Sequence, residues 1–330
     1  MQNLTIGIDV GGTKVAGGLV ARRGKLAKTL FAPTRAKDGV KASFGQVRSV
    51  IERLLRFAGG KENVRGVGVC CPGVLDPETG RVINAPNLPG WEKLRLGVDL
   101  KRSFGLPIRV ENDANAAGLA EALFGAAVGY RNVFYVTVST GIGTGIIINR
   151  RIYHGSQGVG AEGGHVSIDF RSPYRCGCGA LGCIEALASG PAMARRARVH
   201  LEQEFKKPSL LRELTKGQLR FITPETIEQA ARKGDEIAQL VIEETAFYLG
   251  AWLGGIISLL DPGAIVIGGG VARIGKPLFD GIRRIIPRYT VNPHLAAKIP
   301  LLPAKLQENV GVYGAASLFS PDGEEAEASA

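Results

Sequence analysis

The chain has no apolar run long enough to cross a bilayer. Its longest, AFYLGAWLGGIISLL at 246–260, is fifteen residues and stops at Asp261 and Pro262, short of the ~20 a spanning helix needs. The first strand begins within a few residues of Met1, so neither a cleavable signal nor a membrane partner is expected. Also lacking are a basic stretch interleaved with aromatics and a helix-turn-helix pattern ahead of that strand. The net charge of +11 is scattered, and its densest stretch, residues 194–220, mixes in glutamates and reads as solvated helix faces. Nucleic acid is therefore not an expected partner, whereas a positive field suits a protein that handles polyphosphate anions. Cysteine is scarce, five in 330 residues, and three of the five fall in one decapeptide. With those three assigned to metal, a reducing cytoplasm is the expected location. Hydrophobic residues at 45% and charged residues at 22% argue for a folded chain with two cores. The small acidic tail at 321–330 reads as disordered.

That decapeptide, CGCGALGCIE at 176–185, puts three thiols and a terminal carboxylate in one glycine-rich knuckle, with GGH at 163–165 as the nearest upstream histidine. Thiolates so close in sequence converge on one Zn²⁺ only if the backbone turns sharply between them, and Gly177, Gly179 and Gly182 allow that. A Cys₃His zinc site is the natural reading. Buried free thiols or a disulfide are the alternative, and a CxC pair fits a disulfide poorly.

Elsewhere a device repeats. LTIGIDVGGTKVAGGLV at 4–20 reads as strand, glycine turn, strand, and residues 132–155 repeat that plan around STGIGTG, so the chain looks internally duplicated. A third glycine turn, in AIVIGGGVA at 264–272, follows an apolar strand of the kind buried in a parallel sheet. Any one such turn is as readily a tight hairpin. Three of them, two carrying hydroxyls (Thr13; Ser139, Thr140 and Thr144), point to backbone amides that cradle phosphate oxygens. Strands alternating with helices imply an α/β architecture with ligands at the carboxyl edge of the strands. Residues 106–125 read as a strand opening directly into an Ala-rich helix, with Glu111, Asn112 and Asp113 at the junction. Thr223 and Pro224 read as the N-cap and first residue of another helix. Asp113 is either an ordinary helix cap or a catalytic group. Asn87, Glu162 and Glu185, polar groups suited to a polyol, favour chemistry.

In that order, DVGGTK, PNLPGW, ENDANAA, STGIGTG, AEGGH, CGCGALGCIE and IGGG resemble the ROK family of sugar kinases, from about residue 4 to about residue 319. The resemblance implies an actin-like, hexokinase-type (ribonuclease H-like) α/β fold of two domains with a deep interdomain cleft. It places a smaller N-terminal domain at 1–110, completed by a returning C-terminal helix within 310–330, and a larger domain with the zinc knuckle at 111–309. It implies ATP-dependent transfer to the 6-hydroxyl of glucose, with fructose, mannose or an N-acetylhexosamine as alternative acceptors. A sugar-responsive regulator shares the family's body but needs a DNA-binding domain ahead of DVGGTK. A homodimer is the family's common assembly.

Site roles follow from the same resemblance. Asp113 matches the general base. Asn112, Glu162, His165 and Glu185 match sugar ligands, with Gly73 and Asn87 as neighbours. Asp9 matches a carboxylate near Mg²⁺. Gly11, Gly12, Thr13 and Lys14 match the first phosphate loop, Thr140, Gly141 and Thr144 the second, and Gly268, Gly269 and Gly270 the loop beside adenosine. His165, Cys176, Cys178 and Cys183 match the ligands of a structural zinc, so that His165 would serve metal and sugar through different ring nitrogens. The family often has an aliphatic residue where Gly163 stands, and a looser turn is expected there. Cys70 and Cys71 read as packing residues.

Overall fold

The computed structural model describes residues 4–76, 78–85, 87–204 and 207–320; the acidic tail at 321–330 lies outside them. The chain opens as an antiparallel meander of β1 (Leu4–Val10), β2 (Lys14–Ala21) and β3 (Leu26–Pro33). Helix α1 (Val40–Phe57) leads to β4 (Val64–Cys71), a hairpin of β5 (Val74–Asp76) and β6 (Arg81–Asn84), helix α2 (Leu96–Phe104), β7 (Ile108–Asn112) and α3 (Asp113–Phe124). The plan then starts again with β8 (Val133–Val138), β9 (Ile142–Ile148) and β10 (Arg151–Ile152). A helical passage follows, α4 (Ile184–Ala188), α5 (Gly190–Gln203), α6 (Leu210–Leu214), α7 (Pro224–Arg232) and α8 (Glu236–Leu260). The chain closes with β11 (Ala264–Gly268), α9 (Lys276–Ile285), α10 (Pro293–Ala296), β12 (Leu301–Pro303) and α11 (Val310–Ser317).

The duplication read from the glycine turns is visible in the topology. The two large sheets have the orders β3-β2-β1-β4-β7 and β10-β9-β8-β11-β12, each with three consecutive strands side by side and two later ones added next to the first. Strands β1, β4 and β7 are parallel neighbours, as are β11 and β12. The chain divides into two compact units, the first comprising Met1–Tyr135, Gly145–Ala161 and Ala304–Ala330, the second Val136–Thr144 and Glu162–Pro303.

In the first unit, one face of the sheet holds an aliphatic core that includes Ile6, Ile8, Val67, Val69, Leu54, Leu88 and Trp91. The other face is built for close approach. A Cβ on Gly68 would stand 1.7 Å from the Ala315 carbonyl oxygen, and one on Gly7 2.1 Å from that of Val312, so helix α11 lies on β1 and β4 backbone against backbone. Glu121 of α3, fully buried, ties the returning chain down by accepting from the amides of Lys305 and Leu306 at 3.0 and 2.8 Å.

In the second unit, Thr223 caps α7 with Pro224 at its first position, and Thr223 and Thr226 close a reciprocal capping box. The apolar run at 246–260 forms the end of a longer helix. Over 25 residues α8 is long and apolar enough to cross a membrane, but 61% of its most apolar window is buried within the fold, where it packs on α5, α7 and α9. The reading of residues 194–220 as solvated faces is corrected at Arg196. This side chain is buried because its donors are taken by Glu244 Oε2 at 3.0 Å, the Leu187 carbonyl and the Thr245 hydroxyl.

Candidate active site

In the first unit, three strand ends bring the polar residues together. Parallel registers align Asp9 of β1 with Cys70 of β4, and Cys70 with Glu111 of β7, all at the carboxyl edge. Burial, with the Asp113 carboxylate second, pushes the Asp9 carboxyl up to about 6 against the opposing pull of Cys70 and Lys14. The Cys70 thiol points at Asp9 Oδ1 at 3.7 Å and at the Gly311 carbonyl at 3.3 Å. Cys71 belongs to the aliphatic core, so only one of the two cysteines read as packing residues is limited to that. Burial pushes both thiols up, which keeps them neutral.

The ambiguity at the start of α3 resolves by division of labour. Asn112, not Asp113, is the N-cap: its Oδ1 accepts from the amides of Ala114 and Asn115 at 2.8 and 3.1 Å, and its Nδ2 donates to the Gly73 carbonyl at 3.1 Å. Asp113 sits in the first helical turn, with Oδ1 accepting from the Ala114 amide at 2.9 Å and its charge felt at Asp9. Glu111, buried, braces this junction from behind. Its Oε1 accepts from the Asn112 amide at 2.8 Å and from Asn115 Nδ2 at 3.1 Å, and its Oε2 meets His154 Nε2 at 2.6 Å. That bond raises the His154 pKa despite partial burial. The His154 pairing was not apparent in the sequence, where 43 positions separate the partners.

Strand β1 ends in the first glycine turn. Gly11 donates to the Lys14 carbonyl at 2.9 Å, and the Thr34 hydroxyl donates to the Gly11 carbonyl at 2.6 Å, leaving Thr13 and Lys14 exposed. Asn87 lies against this turn, since a Cβ on Gly12 would be 3.2 Å from its carbonyl oxygen. Its segment is pinned by fully buried Leu88 and Trp91, whose indole donates to Ser43 Oγ at 2.9 Å, so Asn87 is held outward.

The second unit assembles the other candidates. In the turn between β8 and β9, Ser139 donates from its amide to the Gly141 carbonyl at 2.9 Å, and Ile142 donates to Glu185 Oε2 at 2.9 Å. Glu185 thereby joins this turn to the knuckle, where the Cys176 thiol lies 3.4 Å from its Oε1. The third glycine turn adjoins the same place, as a Cβ on Gly269 would stand 2.3 Å from the Val138 carbonyl. Thr144, read as a phosphate-loop hydroxyl, is buried, and its Oγ1 accepts from the Gly163 amide at 2.9 Å. Residues 163–165 form a 3₁₀ turn, and a Cβ on Gly163 would meet Thr144 Oγ1 at 2.9 Å and the Trp252 ring at 3.2 Å. The looser turn expected there is thus corrected to a closed one, because glycine is what the space admits. His165 turns Nε2 toward Glu162, 3.9 Å away, and Nδ1 toward Cys176 Sγ at 3.4 Å.

The ligand atoms of His165, Cys176, Cys178 and Cys183 all lie within 4.8 Å of one another, with Cys178 and Cys183 sulfurs 3.7 Å apart. Tetrahedral zinc with Zn–S of about 2.3 Å and Zn–N of about 2.0 Å puts its ligand atoms roughly 3.4–3.8 Å apart. The Cys176–His165 and Cys178–Cys183 pairs, at 3.4 and 3.7 Å, have that spacing, and three thiols with an imidazole are a zinc donor set.

Comparison with known proteins agrees with the motifs. The ROK family profile matches residues 5–321. The glucokinase of Thermotoga maritima is 34% identical over 316 residues, 95% of this chain and 96% of its own. The solved ROK family glucokinase from Streptomyces griseus, in complex with glucose and AMPPNP, superposes with a TM-score of 0.80 at 35% identity, covering 96% of this chain and 98% of that one. The xylose repressor of Bacillus spizizenii is 29% identical over 95% of this chain, which spans 76% of the repressor. The fold is the actin-like, hexokinase-type α/β fold, and the chain belongs to the ROK family.

Proposed function

We propose that the protein is an ATP-dependent hexose kinase that phosphorylates the 6-hydroxyl of glucose. The observation that carries this reading is the junction at Asn112 and Asp113, where the cap is supplied by Asn112 and a carboxylate stands in the first turn beside Asp9. Relatives at 34–35% identity that are glucokinases support the sugar assignment.

In this reading the 6-oxygen of the sugar attacks the γ-phosphorus of ATP, its proton passes to the Asp113 carboxylate, and the bond to the β–γ bridging oxygen breaks to release ADP. Phosphoryl transfer needs in-line positioning and countercharge more than covalent help. The amides of Gly12, Thr13, Lys14, Thr140 and Gly141 and the hydroxyls of Thr13 and Thr140 would supply hydrogen-bond donors to phosphate oxygens, while Gly11 shapes the first turn by donating to the Lys14 carbonyl. Asp9 would hold Mg²⁺, which when bound supplies countercharge to the phosphates. A positioned base adds a factor of ~10²–10⁴. Asn112, Glu162, His165 and Glu185 would bind sugar hydroxyls, and Gly268 to Gly270 would line the adenosine site. Thr144 is better suited to holding the Glu162–His165 turn, where its Oγ1 accepts from the Gly163 amide, than to touching phosphate, since its side chain is buried.

His165, Cys176, Cys178 and Cys183 would hold zinc. Four protein ligands leave no open coordination position, so in this reading its role is to fix His165 and, through the backbone at Cys183 two residues before it, Glu185, whose Oε2 accepts from the Ile142 amide. The xylose repressor relative favours a second reading, a sugar-responsive regulator with the same sugar ligands. Release of ADP from ATP across a panel of glucose, fructose, mannose and N-acetylglucosamine, repeated with polyphosphate as donor, separates the readings. Glucose-dependent ADP release is expected; sugar binding with no turnover on any hexose or donor would leave the regulator.

A further inference from the structure

A cavity with a charged rim lies wholly within the first unit. It encloses about 560 Å³ beside β7 and the β9–β10 turn, and its lining includes none of Asp9, Asp113 or the first glycine turn. The volume is in the range of small-molecule sites. Four permanent cations, Lys101, Arg109, Arg150 and Arg151, line it against two carboxylates, Glu78 and Glu111, an excess of two positive charges before His154 is counted.

The cations are not equally committed. Arg109 donates to the Leu318 carbonyl and lies over the Phe319 ring. Arg151 buries its Nε and Nη2 with no hydrogen-bond partner among the described residues. In a half-buried guanidinium, inward donors left unmet are costly unless an acceptor arrives. The turn that presents it carries a second sign. Asn149 and Arg150 both have positive φ, 52° and 65°, in a two-residue hairpin turn whose second position is ordinarily glycine. Arg150, which lines the same cavity, holds that conformation without glycine's freedom.

We propose that this cavity binds a small phosphate monoester or inorganic phosphate, a dianion that matches the excess charge and the forked donors of Arg151. Val98, Ile108 and Leu119 form an apolar wall for an organic body. The site also reaches the candidate chemistry. His154 lines the cavity and bonds Glu111, whose other oxygen accepts from the Asn112 amide next to Asp113. A dianion beside His154 would therefore act on the junction that positions Asp113, a consequence that rests on the kinase reading.

The test is calorimetric titration of the full chain with inorganic phosphate and, separately, glucose 6-phosphate. Wild type and the Lys14→Gln variant, which weakens the glycine turn instead, are expected to bind phosphate alike. Arg151→Gln should weaken binding at least tenfold, and Lys101→Gln, at a more exposed position, at least threefold. Tighter binding of glucose 6-phosphate that is lost in Arg151→Gln would identify an ester as the occupant; equal binding of both would identify the phosphate group alone. Phosphate binding lost in Lys14→Gln and kept in Arg151→Gln and Lys101→Gln, or absent from wild type, would overturn the proposal. The titration needs no turnover, so failure of the kinase reading leaves its outcome intact. A KM for sugar that phosphate shifts at least threefold in wild type and not in Arg151→Gln would support the coupling through Glu111. An unchanged KM with phosphate bound would refute it.

Discussion

Replacing Asp9 by asparagine should stabilise the ligand-free protein while removing its activity. The carboxyl is pushed from 3.8 up to about 6 by burial first and by Asp113 second. A rise of a little over two units, at 1.36 kcal/mol per unit, corresponds to about 3 kcal/mol of penalty on the ionised form. The residue keeps partial solvent access, which screens the charge and makes this an upper bound. The sign follows from the folded state holding the proton more tightly than the unfolded chain. The stabilising difference is full below pH 3.8, is lost as pH rises through about 6, and the penalty is then constant. Asparagine carries no charge to bury and can still accept from the Cys70 thiol. Urea unfolding in magnesium-free buffer should therefore show Asp9→Asn more stable than wild type at pH 8 by up to about 3 kcal/mol, with the gap closing toward pH 4. Added MgATP should reverse the order by stabilising wild type alone. Parallel pH profiles for the two proteins, or a less stable variant at pH 8, would refute the argument that this carboxylate is held at a cost for its ligand.

Other expectations concern the supports of the site. Gly163→Ala forces a Cβ to 2.9 Å from Thr144 Oγ1; overpacking of this kind costs about 1–3 kcal/mol, and melting and the KM for sugar should both register it. Gly68→Ala meets a carbonyl oxygen at 1.7 Å and should leave little soluble folded protein, as judged by circular dichroism of the purified fraction. Cys178→Ser should lower zinc from one per chain, measured by mass spectrometry, and weaken sugar binding; full sugar affinity without metal would remove the knuckle from sugar recognition. Glu121→Ala strands the amides of Lys305, Leu306 and Ala126 and should cost about 3 kcal/mol or more in chemical denaturation.

The duplicated plan was legible because each copy is local: an apolar strand, a glycine turn and another strand fit within 17 to 24 residues, and short-range patterning decides them. The knuckle was legible for the same reason, with its three thiols inside eight positions. At ENDA the sequence placed the strand-to-helix junction but not the duties within it. Asn and Asp are both good caps, and the choice was made by Gly73, 39 positions away, whose carbonyl holds the Asn112 amide group. The partners of Asp9 were hidden by distance too. Cys70 is brought beside it by a parallel register and Gly311 by a helix that returns from the far end of the chain, and no local pattern marks either. Arg196 misled because a charged residue in a charge-rich helix is ordinarily solvated, whereas here Glu244, from a helix 48 positions on, accepts it in the interior.

The most direct measurement is the phosphorylation rate of glucose by Asp113→Asn, taken together with calorimetric glucose binding to the same variant. The account predicts turnover reduced by ~10²-fold or more with glucose affinity within a few-fold of wild type. Turnover near the wild-type rate would contradict it, because the proton of the 6-hydroxyl would then leave by another route.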